Sequence, residues 1–284
     1  LKSALLDRVL AVRKQGGSVA LLTRLSDGAQ SLVGDESDEA EFPLDDDLRA
    51  VAGRVIQSDR GELVETPSGE VFVEAWNPPA RLLVIGAVHI AQALSGIGAA
   101  TGFRVTVIDP RAAFATVERF PMVEIRTDWP DEALAALAPD RRTAIVSLTH
   151  DPKIDDIALS VALRSPAFYI GALGSRKSHA ARLERLNQAG FDPETLVRIH
   201  GPIGLAIKAL TPAEIAVSIL AEIIAARRGS PLAFRTPAIE STNLRDVTDF
   251  SAMVPNLEIN QSGSGRSASG LLPGASDAGG AEEC

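Results

Sequence analysis

Arg81-Leu82-Leu83-Val84-Ile85-Gly86-Ala87-Val88-His89-Ile90-Ala91-Gln92-Ala93-Leu94 decides the fold. It is an apolar strand that breaks at a glycine and runs directly into a helix. One helix later comes a second strand, Arg104-Val105-Thr106-Val107-Ile108-Asp109, which ends on an acid. This is the opening βαβ unit of a nucleotide-binding fold. In that unit an anion sits on the first helix N-terminus, and the acid can take a ribose hydroxyl. The dinucleotide fingerprint asks for Gly-x-Gly-x-x-Gly, whereas this chain has Gly86-x-Val88-x-x-Ala91. Alanine is tolerated at the third position. Valine at the second puts a branched side chain where the pyrophosphate must approach the backbone. The fold signal is strong and the signal for ordinary NAD chemistry is weak.

Working outward, strand and helix alternate from Ala80 on. Strands are expected at 81–86, 104–109, 123–127, 143–149, 167–172 and about 197–200. Helices are expected near 89–101, 131–138, 155–164, 176–189 and 212–227. Leu82 to Ile85 and Ala144 to Leu148 are unbroken apolar runs, as buried parallel strands require. The pattern predicts an α/β fold: a Rossmann-like, doubly wound parallel sheet. The last helix opens on Thr211-Pro212-Ala213-Glu214, a capping box with proline in the first turn. Ahead of this region, residues 1–79 read as a smaller N-terminal α+β domain. It has an apolar helical face through Leu5, Leu6, Val9, Leu10 and Val12, strands at 19–25, 30–33, 63–66 and 70–76, and a helix near 48–57. Asn77-Pro78-Pro79 is a stiff linker, which puts the nucleotide-binding domain at 80–229. Residues 230–284 lose periodicity and become rich in Ser, Gly and Ala, so an irregular to disordered tail is expected there.

Composition excludes several classes. With 45% hydrophobic and 23% charged residues, the chain is ordinary globular material. No apolar run is long enough to span a bilayer, and Leu1 opens neither a secretory nor a transit signal. A cytoplasmic protein is expected, with a start that reads as trimmed. The single cysteine, Cys284, excludes an intrachain disulfide and a cysteine-based zinc site, and its place in the tail makes it a poor nucleophile. A net charge of −9 argues against a general nucleic-acid binder. Residues 35–47 hold eight acids and no base; they read as a solvated loop or as a dock for a basic partner.

Ligands of open α/β sheets bind beyond the carboxyl ends of the strands, which is where the candidate residues fall. Gly86 makes the first turn. His89, at the start of the first helix, is either an anion-side ligand or a polar helix-start residue. Gln92, one turn on, faces ligand or solvent, and Asp109 is a hydroxyl ligand or a plain strand-end acid. Thr149-His150-Asp151-Pro152 offers His150 at a third strand end, with Asp151 as a conceivable acid–base partner. The second glycine-rich turn is Tyr169-Ile170-Gly171-Ala172-Leu173-Gly174-Ser175-Arg176-Lys177-Ser178-His179. Its Gly171, Gly174 and Ser175, followed by Arg176, Lys177 and His179, place small residues and cations at a helix start suited to phosphate. The alternative is that both cations are solvated helix residues. The turn is not a Walker loop, and neither a nucleophile elbow nor a metal-binding histidine pair occurs. No catalytic or metal-ligating residue is therefore assigned.

Leu82 to Leu94, Phe103 to Pro110 with Phe114-Ala115-Thr116, Leu148 to Lys153, Tyr169 to Arg185 and Ile199 to Ile224 together resemble the XdhC/CoxI family. These are accessory proteins of molybdenum hydroxylases of the xanthine dehydrogenase and carbon monoxide dehydrogenase type. The resemblance implies a non-catalytic chaperone that transiently binds molybdenum cofactor, as molybdopterin or its dinucleotide. It implies support for cofactor sulfuration with a cysteine desulfurase, and insertion into the apo-form of a molybdenum hydroxylase. Under this reading Asp109 meets a pterin or ribose hydroxyl, and a homodimer is possible. Many family members carry a Gly/Ser-rich, cysteine-containing stretch in the first domain. Residues 18–60 have none, so sulfur transfer by this chain's own thiol is not expected. Two rival readings are a ligand-free factor bridging apo-hydroxylase and desulfurase, and a nucleotide-dependent oxidoreductase, which Val88 disfavours.

Overall fold

The computed structural model describes residues 3–34 and 39–230. The first sheet is built from β1 (Val19–Arg24), β2 (Gln30–Gly34), β3 (Glu39–Ala40), β4 (Glu62–Thr66) and β5 (Gly69–Trp76), in the order β3-β2-β1-β5-β4. Its pairs are antiparallel. Alternation in β1 assigns one set of side chains to each face. Ala20 and Leu22 pack against Leu48, Val51, Ala52 and Val55 of α2 (Asp46–Ser58), while Val19 and Leu21 pack against Leu5 and Val9 of α1 (Ser3–Lys14).

The acids among residues 39–47 of the acidic segment are held in regular elements, a hydrogen bond and a cap rather than in a bare loop. Glu39 and Ala40 form β3, the Glu41 carboxylate accepts from the Gln30 N–H, and Asp45 caps α2 by accepting from the Leu48 N–H at 2.8 Å. Asp46 and Asp47 then fill the first helical turn, where the helix dipole favours acids. Residues 35–38, the tail beyond 230 and Cys284 lie outside the described residues.

The second sheet is parallel: β6 (Arg81–Ile85), β7 (Arg104–Ile108), β8 (Glu124–Arg126), β9 (Thr143–Ser147), β10 (Tyr169–Ala172) and β11 (Ile199–His200). Its order, β11-β10-β9-β6-β7-β8, is that of a doubly wound Rossmann sheet, and the order reverses between β6 and β9. Leu82 and Val84 face a core with Ala91 and Leu94 of α3 (His89–Ala100) and Ile219 and Ile223 of α8 (Pro212–Arg227). Leu83 and Ile85 face the other core, with α4 (Pro130–Leu137), α5 (Pro152–Arg164) and Leu186 of α6 (Arg176–Gln188). Each fully buried aliphatic side chain of this kind stabilises by about 1.5–3 kcal/mol. Helix α5 starts earlier than its apolar period suggests, because Asp151 caps it and Pro152 supplies the first helical residue. The short α7 (Pro193–Leu196), started by Asp192, is an element the periodicity does not reveal. Among the described residues no helix is long and apolar enough to cross a membrane.

Asp59 fastens the two sheets together. It ends α2 in the left-handed region at φ 51° and accepts from Asn77 of the linker, from Arg142 before β9 at 3.1 and 3.3 Å, and from Arg227 of α8. Burial raises the carboxyl pKa, but Asn77 and the two arginines outweigh this and hold it below its ordinary 3.8. Replacing Asp59 with Ala should lower urea-measured stability by about 2 kcal/mol, less than for a fully buried pair because the site is partly wet. Asp59→Asn, which tolerates the same backbone conformation, should lose about half as much.

Candidate functional site

The turns after β6, β7, β9 and β10 share the carboxyl rim of the sheet, and the first and third flank the point where strand order reverses. Gly86 sits at φ 102°, a region that favours glycine, and a Cβ there would lie 2.5 Å from Thr149 Cγ2. The turns after β6 and β9 therefore touch backbone to side chain. Val88 is the extended N-cap of α3, and His89 follows as its exposed first residue.

One backbone donor of this first turn, the Ala87 N–H, is already taken by an anion of the protein's own, while the N–H groups of Val88 to Ala91 have no acceptor among the described residues. Asp109 is fully buried; its Oδ2 accepts from the Ala87 N–H at 2.8 Å and from Arg111 Nη2 at 2.8 Å. Its Oδ1 accepts from the Arg111 backbone N–H and Nε, both at 2.9 Å. Burial pushes this carboxyl up, but Arg111 and the two backbone donors prevail and keep it below its ordinary 3.8. A ligand hydroxyl would have to displace one of these bonds. Arg111, two residues past the strand-end acid, is absent from the sequence candidates. Gln92 is also engaged: its Nε2 donates to Arg119 O, and its Oε1 accepts from Arg119 Nη2, tying α3 to the loop after β7.

At the end of β9, His150 is exposed, and Asp151 caps α5 by accepting from the Lys153 N–H. Below them lies a buried polar cluster that sequence reasoning misses. Asp155 Oδ1 accepts from Ser147 Oγ at 2.6 Å and Thr149 Oγ1 at 2.5 Å, and Asp155 Oδ2 stands 3.6 Å from Arg182 Nη2.

The turn after β10 combines open donors with exposed cations. Gly174 has φ 143°, and Ser175 caps α6 by accepting from the Ser178 N–H at 3.1 Å. Arg176 and Lys177 are exposed in the first turn of that helix. The first intrahelical bond runs from the His179 N–H to Ser175 O. The N–H groups of Gly174, Ser175, Arg176 and Lys177 have no acceptor among the described residues. Gly171 and His179 play other parts. Gly171 lies within β10, and a Cβ on it would meet Ile203 Cδ1 at 2.4 Å, so its bareness serves packing. The His179 ring packs on the backbone of Gly201, where a Cβ would come within 2.2 Å of its Nδ1.

A second unforeseen cluster lies behind the rim on the α8 face. The fully buried Glu222 carboxylate accepts from Tyr169 Oη at 2.7 Å and from the Gly204 N–H at 2.6 Å. It also stands 2.9 Å from His200 Nδ1. The Tyr169 and His200 rings lie 4.5 Å apart between centroids. A lone acid inside Ile219-Leu220-Ala221-Glu222-Ile223-Ile224, on the buried stripe of an apolar helix, is the signal that could have revealed it.

A family model for the XdhC Rossmann domain matches residues 82–223, half of the chain. The chain belongs to the XdhC family. Among curated XdhC-like relatives, it is 31% identical over 156 residues to the molybdenum cofactor insertion chaperone PaoD of Escherichia coli K12. That match takes in 55% of this chain and 43% of PaoD. It is 34% identical over 159 residues to a Bacillus subtilis 168 protein named as a probable xanthine dehydrogenase component, across 56% of this chain and 46% of that protein. The uncharacterized protein YqeB of E. coli K12 is 32% identical over 161 residues, across 57% of this chain and 30% of its own. The matched region thus spans less than half the length of these curated relatives. A Bacillus halodurans crystal structure described as a xanthine dehydrogenase superposes with a TM-score of 0.62 at 27% identity, covering 82% of this chain and 66% of that one. The Rossmann domain of this XdhC family member accordingly carries open backbone donors with exposed cations at one rim turn and a self-satisfied carboxylate at the other.

Proposed function

We propose that this chain binds molybdenum cofactor at the carboxyl rim of its Rossmann sheet and serves its insertion into a molybdenum hydroxylase. The observation that carries the proposal is the turn of Gly174, Ser175, Arg176 and Lys177, with unpaired backbone donors and two exposed cations on one helix start. Molybdopterin ends in a phosphate, which fits such a turn. Gly86, His89 and His150 stand at neighbouring rim turns, within the same edge of the sheet, as contacts for the rest of the ligand. Gly171, Gln92, Asp109 and His179 act through packing and internal bonds that keep the rim in shape. Family membership and the named role of PaoD support the same reading. In it, the cofactor is held transiently, as mono- or dinucleotide, while a cysteine desulfurase partner sulfurates it. The chain is a cytoplasmic, non-catalytic factor that acts as a homodimer.

The test is equilibrium binding of the purified protein to molybdenum cofactor under anaerobic, reducing conditions, with NADH and GMP as comparators. Cofactor binding without NADH binding is expected. The Arg176→Ala/Lys177→Ala pair should weaken it by roughly thirtyfold or more, since each charge-assisted bond contributes about 1.5–3 kcal/mol. Binding of NADH alone would replace this reading with the oxidoreductase. No binding of any of the three would leave the ligand-free docking factor.

A further inference from the structure

Arg182 lies on α6 one and a half turns inside the helix, yet its guanidinium returns to the turn that starts the helix. It is only 4% exposed. Its Nη2 donates to Leu173 O at 2.8 Å, and a Cβ built on Gly174 would stand 3.8 Å from the same atom. Its Nε and Nη1 are buried without a hydrogen-bond partner among the described residues. A buried guanidinium with two idle donors is costly, and it leaves hydrogen-bonding capacity unused beside the turn. Asp155 pairs with the guanidinium at one corner only. Its Oδ2 lies 3.6 Å from Nη2, while its Oδ1 is taken by Ser147 and Thr149, so Nε and Nη1 stay without an acceptor.

The peptide between Leu173 and Gly174 supplies the geometry. A trans peptide is planar, so its C=O and N–H point in opposite directions. Arg182 draws the carbonyl of Leu173 inward from beneath, which turns the N–H of Gly174 outward, away from the core. The Leu173 N–H is fixed in turn by Ser147 O at 2.8 Å. At φ 143° the next residue must be glycine for the chain to continue into Ser175 and α6.

We infer that Arg182 is the positioning residue of an anion site, orienting the Leu173–Gly174 peptide so that the Gly174 N–H is presented, at the start of α6, to a phosphate or pyrophosphate group. The inference rests on the proposed rim site but extends it to a buried residue and a ligand chemistry testable without the cofactor. Arg182 does not need to touch the ligand; it acts through the peptide it orients.

The experiment is an amide ¹H–¹⁵N titration of the full chain with inorganic pyrophosphate, with GMP and molybdenum cofactor as separate arms. In the wild type, the Gly174 and Ser175 resonances should move with added pyrophosphate. Arg182→Met/Asp155→Asn, which removes both buried charges together, should melt near the wild-type temperature. It should show a displaced Gly174 amide without any ligand and bind pyrophosphate roughly tenfold or more weakly. Arg182→Lys keeps a cationic donor and should recover part of that loss. If the double variant does not fold, the wild-type titration and Arg182→Lys decide the matter. Unmoved Gly174 and Ser175 amides in the wild type overturn the inference, as does wild-type pyrophosphate affinity in the folded double variant. Arg182-dependent pyrophosphate binding without cofactor binding upholds the inference and removes the proposed function. Cofactor binding that leaves the Gly174 amide unmoved does the reverse.

Discussion

Glu222→Ala should destabilise the protein by about 4 kcal/mol or more, among the largest losses available from one polar side chain. The substitution strands three donors at a fully buried position: Tyr169 Oη, the Gly204 N–H and His200 Nδ1–H. An abandoned buried donor costs about 1–3 kcal/mol, and these costs do not simply add, since His200 can exchange tautomers and Tyr169 can rotate its hydroxyl. Glu222→Gln keeps the shape and one acceptor and should cost about 2 kcal/mol. Burial raises the Glu222 carboxyl, but His200, Tyr169 and Gly204 prevail and hold it below its ordinary 4.5. A carboxyl lowered on folding contributes stability that is complete above its unfolded pKa and lost as pH falls through the folded value. The gap between wild type and Glu222→Gln should thus be full at neutral pH and shrink below about pH 4. Urea unfolding at pH 7 and pH 3 measures both. A Glu222→Ala protein as stable as wild type would mean that the carboxylate does not hold β10, β11 and α8 together.

How much of this is legible in the sequence depends on whether the signal is local. The runs 82–85 and 144–148 disclose buried parallel strands, because apolar side chains must cover both faces of such a sheet. Thr211 and Glu214 disclose the start of α8 for an equally local reason, and the structure contains the full reciprocal cap. Periodicity sets the start of α5 too late because Asp151 reads as an acid–base candidate at a strand end, whereas it caps a helix that Pro152 begins. The site residues are harder. Gly171 and Gly174 look alike in sequence, yet one accommodates Ile203 and the other makes a left-handed turn, a difference that only the strand end decides. Arg182 reads as one more cation on a polar helix. Its burial follows from Asp155, a residue 27 positions earlier, and from a carbonyl on the neighbouring strand's end. Glu222 is visible as an anomaly, but its partners on β10 and after β11 are not.

The two rim turns differ in the charges that surround their backbone donors. At the first, Val88 and the internal carboxylate of Asp109 stand where a dinucleotide's pyrophosphate would make its approach. At the second, backbone donors and cations remain open. The start of α3 also keeps the N–H groups of Val88, His89, Ile90 and Ala91 without an acceptor among the described residues. What sets the second turn apart is the pair of exposed cations, Arg176 and Lys177, beside its open donors.

Asp109→Ala should cost about 2–3 kcal/mol, because it leaves the Ala87 N–H and the Arg111 backbone N–H without their acceptor and breaks an ion pair whose Arg111 side is 40% exposed and screened by solvent. Asp109→Asn keeps the shape but turns an amide donor toward a guanidinium and should cost about half as much. The sign of the pH dependence follows from a folded pKa held below 3.8. The stabilisation is present above the unfolded value and disappears as pH falls through the folded one, so wild type and Asp109→Asn should converge in acid. Binding separates the two roles this residue can have. If Asp109 only holds the first turn, Asp109→Asn loses stability while the folded protein binds cofactor within a few-fold of wild type. If it takes a ligand hydroxyl, affinity falls as well, even below the unfolding midpoint where the variant is fully native. Unfolding curves at two pH values, with a cofactor titration of the same folded sample, therefore tell a structural carboxylate from a binding one.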